Sequence, residues 1–219
     1  MSLAHRISKY NRDRKWRTFI KEFPPTPTMH VLDIGFSENE YSSTDNYIEK
    51  HYPYQNMLTA LGIDNPIRFK ERYPSVRAIR YDGGLFPFED KLFDVVWSNA
   101  VIEHVGNRTK QLLFLKEIHR VSNCAFITTP NKYFPVEVHT RTPLLHYLPK
   151  TIFDKYLHLV GKKWASGEYM HLLSLSDIES LFADAGIEEY RIYKNKIAGF
   201  TLDFVVCFGN QLSAYSDPT

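Results

Sequence analysis

Long apolar runs are missing from this sequence of 219 residues. None approaches the length needed to cross a bilayer, which argues against a membrane span. Cysteine is scarce. Cys124 and Cys207 are the only two, each inside an apolar stretch, which excludes a disulfide framework and a cysteine metal site and predicts buried, reduced thiols. Charge of one sign is lacking too: a formal net charge of +2 gives no electrostatic footprint for DNA or RNA as a partner. The opening MSLAHRISKYNRDRKW has no apolar core of the secretory kind, and the chain reads as soluble and cytoplasmic. Repeats and low-complexity tracts are absent. What is present, 43% hydrophobic and 15% aromatic residues, fits a folded globular protein. The length suits one domain over 1–219 with a single large core.

Residues 4–22 are basic and carry Ile7, Tyr10, Trp16, Phe19 and Ile20 at roughly helical spacing, until PPTPT at 24–28 stops the pattern. This predicts an amphipathic helix capping the domain. A mobile lid, or a basic face resting on anionic membrane as a peripheral contact, is the sharper alternative. Short β-branched runs then alternate with helical stretches. Strands are predicted at 29–35, 58–64, 76–82, 93–99 and 124–130, and helices at 44–52, 66–73 and 108–121. Such alternation implies an α/β fold with a parallel sheet covered on both faces, whose ligand lies beyond the carboxyl ends of the strands. Those ends carry Asp33, Asp64, Asp82 and Asn99, a line of hydrogen-bond acceptors along one rim.

Towards the C-terminus, SLSDIESLFADAG at 174–186 has a Ser N-cap, apolar periodicity and a terminating Gly, and predicts a helix. Two strands follow at 188–195 and 199–210, a hairpin closing the sheet. Between 131 and 173 lies an aromatic, His- and Pro-rich insert, with a lid-like helix predicted within 147–164.

At the rim the sequence resembles a class I S-adenosylmethionine-dependent methyltransferase of the small-molecule, ubiquinone-type group. The family's first strand reads V-L-D-x-G-x-G-x-G, matched by Val31, Leu32, Asp33 and Gly35. Its second strand ends in an acid for the ribose hydroxyls, matched by Asp64 in LGIDN, and its third in an Asp for the adenine amine, matched by Asp82, with Gly83 beside it, in RYDGGLFPFED. FDVVWSNAVIEHV at 93–105 is similar to the fourth motif, in which Asn99 and Ala100 would line the methionine moiety. FLKEIHRV and CAFITTPN follow in the family's order. The resemblance implies a Rossmann-like, doubly wound, mostly parallel seven-stranded sheet with a C-terminal antiparallel hairpin, and S-adenosylmethionine as cofactor.

Where that family has three glycines, this chain has Gly35, Ser37 and Asn39. Asn tolerates positive φ and Ser is small, so the loop can keep a similar path. Glu38 and Glu40 either meet the cofactor's positive charge or are solvated. A nicotinamide oxidoreductase also puts an acid on ribose, but the G-x-G-x-x-G needed for a pyrophosphate is missing here. The altered glycine pattern leaves a second reading open, a non-catalytic binding module that keeps the fold without the cofactor.

Methyl transfer needs an aligned acceptor in a dry site, and an acceptor hydroxyl must also lose a proton. His104 in AVIEHV is the candidate base; alternatively it caps the following helix or hydrogen-bonds Glu103. The insert supplies His139, Arg141 and His146 as candidate acceptor-binding residues. His139 and Arg141 would share a face if the segment is extended, and Arg141 suits a carboxylate or phosphate. No metal-ligand spacing comparable to H-E-x-x-H occurs. The expected acceptor is a small molecule or saccharide, methylated at oxygen or nitrogen.

Overall fold

The computed structural model describes residues 3–137, 140–167 and 170–209. Its strands are β1 (Val31–Ile34), β2 (Leu58–Gly62), β3 (Arg77–Arg80), β4 (Phe93–Asn99), β5 (Ser122–Pro130), β6 (Val136–Glu137), β7 (Thr142–Pro143), β8 (Tyr190–Ile197) and β9 (Phe200–Gly209). Its helices are α1 (Leu3–Glu22), α2 (Tyr47–His51), α3 (Ile67–Arg72), α4 (Arg108–Val121), α5 (Lys150–Leu159) and α6 (Leu175–Ala185). Seven strands form one sheet in the order β3-β2-β1-β4-β5-β9-β8. The first five are parallel, and β9 runs antiparallel to both β5 and β8, as the expected closing hairpin requires.

Alternation along each strand divides the interior into two cores. Leu32, Val96, Ala125, Ile127, Phe204 and Val206 face one side, where Leu115 and Ile118 of α4 and Leu181 of α6 meet them. Val31, Val95, Trp97, Phe126, Val205 and Cys207 face the other, against Phe19 of α1, Ile48 of α2 and Phe69 of α3. The doubly wound arrangement is therefore written in the period of two. Both cysteines are buried, and among the described residues neither forms a disulfide. Helix ends follow local chemistry: Ser174 and Asp177 exchange side-chain and backbone hydrogen bonds in a capping box, and Gly186, at φ 72°, ends α6. The helix predicted over 44–52 is shorter in the structure, because Asn46 adopts a left-handed conformation just before α2.

The helix α1 is an integral layer. Phe19 and Phe23 are fully buried, and the Phe19 ring meets Trp97 edge-on at 5.1 Å and Phe126 at 5.5 Å. Residues 131–173 leave and rejoin the sheet at one place, where Asn131 bridges Leu173 and Lys132 N–H donates to the Leu173 carbonyl at 2.9 Å. Within this excursion Phe153 and Leu157 of α5 form a satellite core with Ala165 and Met170. Among the described residues no helix is long and apolar enough to cross a membrane.

Candidate active site

The sheet order reverses between β1 and β4, the position at which a doubly wound sheet opens a crevice beyond its strand ends. A crevice of about 40 Å³ lies there, lined by Asp33, Gly35, Asn46, Glu49 and Asn99, with Arg12 of α1 above them. Gly35 has φ 104° and donates its N–H to the Leu61 carbonyl at 2.8 Å. A Cβ at that position would sit 2.5 Å from Val101 Cγ2, so both the dihedral and the close approach demand glycine. Just past the end of β4, Ala100 also has positive φ, 58°, and its N–H donates to the Thr128 carbonyl at 2.9 Å. That bond turns the chain sharply off the end of β4.

The loop without its further glycines is held by side chains instead. The amide of Asn46 accepts from Ser37 N–H at 2.8 Å and donates to the Ser37 carbonyl at 2.9 Å. It also donates to Glu40, which in turn binds Lys50 and the Tyr73 hydroxyl. Glu40 is thus committed to the loop, while the Asn39 side chain turns outward to Arg68.

Behind the loop, Asp33 and Glu49 are both buried. No ordinary donor reaches either Glu49 oxygen; its hydrogen-bond partner is the Asp33 carboxyl. Two adjacent carboxylates in a dry site cannot both ionise, so the pair holds a proton. Burial pushes Asp33 up to about 7, against the opposing pull of Glu49's hydrogen bond and the Arg12 charge. Burial and the Asp33 charge likewise push Glu49 well above the ordinary carboxyl range.

Asn99 differs from the expected acceptor. Lys15, buried in α1, reaches its Oδ1 at 3.3 Å, and the Thr128 hydroxyl donates to the same oxygen at 2.9 Å. An ammonium can only donate, so it fixes the amide with its oxygen inward. The Asn99 Nδ2 is left as a donor, and the rim reads Asp82, Asp64, Asp33 and then a donor. Lys15 completes its set with Thr128 Oγ1 at 3.1 Å and an ion pair to Asp203 of β9 at 2.9 Å. Burial lowers the Lys15 pKa, and Asp203 works against that shift.

Asp64 and Asp82 stand exposed where the chain leaves β2 and β3. One Asp64 oxygen accepts from Glu38 N–H at 3.3 Å, and one Asp82 oxygen from Gly84 N–H at 2.9 Å, which leaves a second oxygen of each for a ligand. Gly83, at φ 88°, has open space around it. Ile63 and Leu85, next to these acids, are large apolar side chains with 64% and 68% exposure, surface that a flat heterocycle would cover.

Beside the crevice is a larger cavity of about 470 Å³. Ala100 and Pro130 from the strand ends, Phe134 and Arg141 from the insert, and Arg12 and Lys15 from α1 line it. Arg141 and Ala100 are thus brought together. His146 lies elsewhere, in a separate cavity of similar volume with Lys132, Phe153 and His171. His104, on the short 3₁₀ turn Ile102–His104, lines neither recess; its Nε2 is 4.0 Å from Glu103 Oε1, beyond hydrogen-bond range. His139 falls outside the described residues. Among the described residues no cluster of three or more His, Cys, Asp or Glu could hold a metal ion.

The site residues that sequence reasoning missed are Arg12, Lys15, Glu49 and Asp203. A signal for two of them existed. Residues 12, 15, 19 and 23 recur at three- and four-residue spacing, so the face that buries Phe19 and Phe23 continues as Lys15 and Arg12. Nothing local marks Glu49 or Asp203.

Comparison with known proteins accords with this geometry. Residues 49–123 match a family model described as a methyltransferase domain. No curated protein matches the sequence. Among solved structures, a SAM-dependent methyltransferase from Aquifex aeolicus superposes with a TM-score of 0.54 at 16% identity, covering 87% of each chain. An S-adenosylmethionine-dependent methyltransferase from Mesorhizobium loti gives 0.57 at 12% identity, covering 88% of this chain and 96% of its own. The phosphoethanolamine N-methyltransferase 2 of Haemonchus contortus, in complex with S-adenosyl-L-methionine, gives 0.55 at 14% identity, covering 83% of this chain and 38% of that one. The chain has the fold of the S-adenosylmethionine-dependent methyltransferases, and its residues 49–123 carry the signature of a methyltransferase domain. The residues present suit S-adenosylmethionine: free carboxylate oxygens and exposed apolar side chains on the β2 and β3 side, and on the β1 side a buried Glu49 carboxyl that meets only the Asp33 carboxyl.

Proposed function

We propose that this protein methylates an oxygen or nitrogen of a small-molecule or saccharide acceptor bound in the larger cavity. The observation that carries this reading is the shared wall between the two recesses. Asn99 lines the crevice, Ala100 lines the cavity, and Arg12 borders both. A donor and an acceptor held on either side of that step would be neighbours, and such proximity supplies much of the rate in a displacement reaction.

In this reading Asp64 accepts hydrogen bonds from the ribose hydroxyls and Asp82 from the adenine amine. Gly35, Ser37 and Gly83 let backbone approach, and Asn99 and Ala100 border the methionine end. Asp33 meets the cofactor's ammonium once the carboxyl pair has given up its proton. When bound, S-adenosylmethionine supplies the electrophilic methyl group. Arg141, the insert residue that lines the cavity, orients the acceptor, and His104, just past β4, takes the acceptor's proton. Calorimetric titration with S-adenosylhomocysteine, with NAD as control, tests the first half of this reading. Saturable micromolar binding of the former alone supports it; no heat with either ligand, in folded protein, would overturn it. A screen for transfer of labelled methyl to hydroxylated and aminated small molecules and saccharides then tests the second half.

A further inference from the structure

The charges lining the larger cavity do not balance. Three cations, Arg12, Lys15 and Arg141, face one carboxylate, Asp203. That carboxylate is spent. Its oxygens take the Lys15 ammonium at 2.9 Å, the Asn195 amide at 2.7 Å and the Asn11 amide. The Lys15 ammonium is equally spent, since Asp203, Asn99 and Thr128 offer one acceptor to each of its three protons. Two guanidiniums remain. Arg12 and Arg141 make no hydrogen bond or ion pair with another described residue, and both turn to the same space. Arg12 is half-buried; burial pulls its pKa down, and Asp45, Asp203 and Asp33 oppose that shift through space without a hydrogen bond to it, so an anion in direct contact would regain what solvent has lost. Apart from Ser8 and Asn11, the remaining wall is apolar, with Ile7, Pro130, Phe134, Val136, Ile197 and Leu202.

We infer that the cavity selects an organic anion: an apolar body ending in a carboxylate or phosphate, with the charged end between Arg12 and Arg141 and the body against Phe134 and Leu202. Guanidinium is the side chain best shaped for either group, through paired N–H donors. The assignment rests on the cavity being the acceptor site, and it narrows the acceptor from any small molecule to an amphipathic acid. A neutral saccharide would leave the half-buried Arg12 guanidinium without a partner, and a site rejects a ligand that leaves such a group unpaired.

The test uses octyl phosphate, octanoate and octanol as probes of the full-length protein, below their aggregation limits, by calorimetry. At least one anion is expected to bind ten times more tightly than octanol, and which of the two does so identifies the head group. Arg141→Gln is expected to abolish that preference while octanol binding persists, and Arg141→Lys to restore part of it. Arg141 is exposed, so both variants should fold, and circular dichroism checks this. Equal binding of octanol and the anions, or an undiminished preference in Arg141→Gln, overturns the inference. S-adenosylhomocysteine titrated in parallel into the unaltered protein separates the two ideas. Loss of cofactor binding with anion preference intact refutes the methyltransfer reading alone, and the reverse pattern refutes only the anion.

Discussion

At the residue scale, the rim's three acids have different jobs because they have different surroundings. Asp64 and Asp82 are exposed, each with an oxygen to spare, whereas Asp33 is sunk into β1 and shares a proton with Glu49. Replacing Asp64 by Ala removes an acceptor of charge-assisted hydrogen bonds, worth about 1.5–3 kcal/mol. The expected outcome is at least tenfold weaker S-adenosylhomocysteine binding in calorimetry with an unchanged melting temperature. For His104, substitution by Ala is expected to slow turnover by a factor of about 10²–10⁴, the usual worth of a general base, without weakening cofactor binding. Unchanged turnover with a known acceptor would remove His104 from the mechanism. Because His104 lines neither recess, that experiment is informative.

At the element scale, the locally encoded pieces were legible and the long-range ones were not. The spans of β4 and α4 follow from period and flanking residues alone, and the start and end of α6 from its Ser174 N-cap and Gly186. The rim acids could be named because each ends a strand. The role of α1 could not be read that far. Its aromatic face announces burial, but only the assembled sheet reveals that the same face carries Lys15 to Asn99, 84 residues away, and to Thr128, 113 away. Asn99 changed from acceptor to donor for the same reason. Glu49 was hidden because a carboxylate on a short helix looks solvated until its neighbour is known. The packing of α1 gives a prediction of its own. Phe19→Ala leaves a hole between Trp97 and Phe126, and should cost about 3–5 kcal/mol in chemical denaturation. Because Lys15 lies one turn away, cofactor and acceptor binding should weaken together in that variant.

At the scale of the whole molecule, the carboxyl pair ties stability to pH. In the folded chain Asp33 holds its proton up to about 7, against 3.8 for an ordinary Asp, so between those values the folded state binds protons that the unfolded chain has released. This contribution is complete below the ordinary carboxyl range and is lost as pH rises through about 7. Every tenfold gain in proton affinity on folding is worth about 1.4 kcal/mol. Urea unfolding at pH 5 and pH 8 should therefore show a fall in stability that Glu49→Gln flattens. Parallel profiles for the two proteins would refute proton sharing. A bound ammonium at Asp33 would favour the ionised carboxylate, so cofactor binding should release a proton near neutral pH.

The pairing of Asn11 with Asp203 spans 192 residues. A ribosome makes α1 long before β9, so the aromatic and cationic face of α1 has no complete partner until β9 has emerged. Contacts of such separation are slow to form, and the surfaces waiting for them are open to wrong association meanwhile. Both recesses take walls from α1, and the larger one also from β9, so the larger one cannot exist in a nascent fragment that stops short of that strand. The protein acquires its larger cavity late in synthesis, once β9 is made.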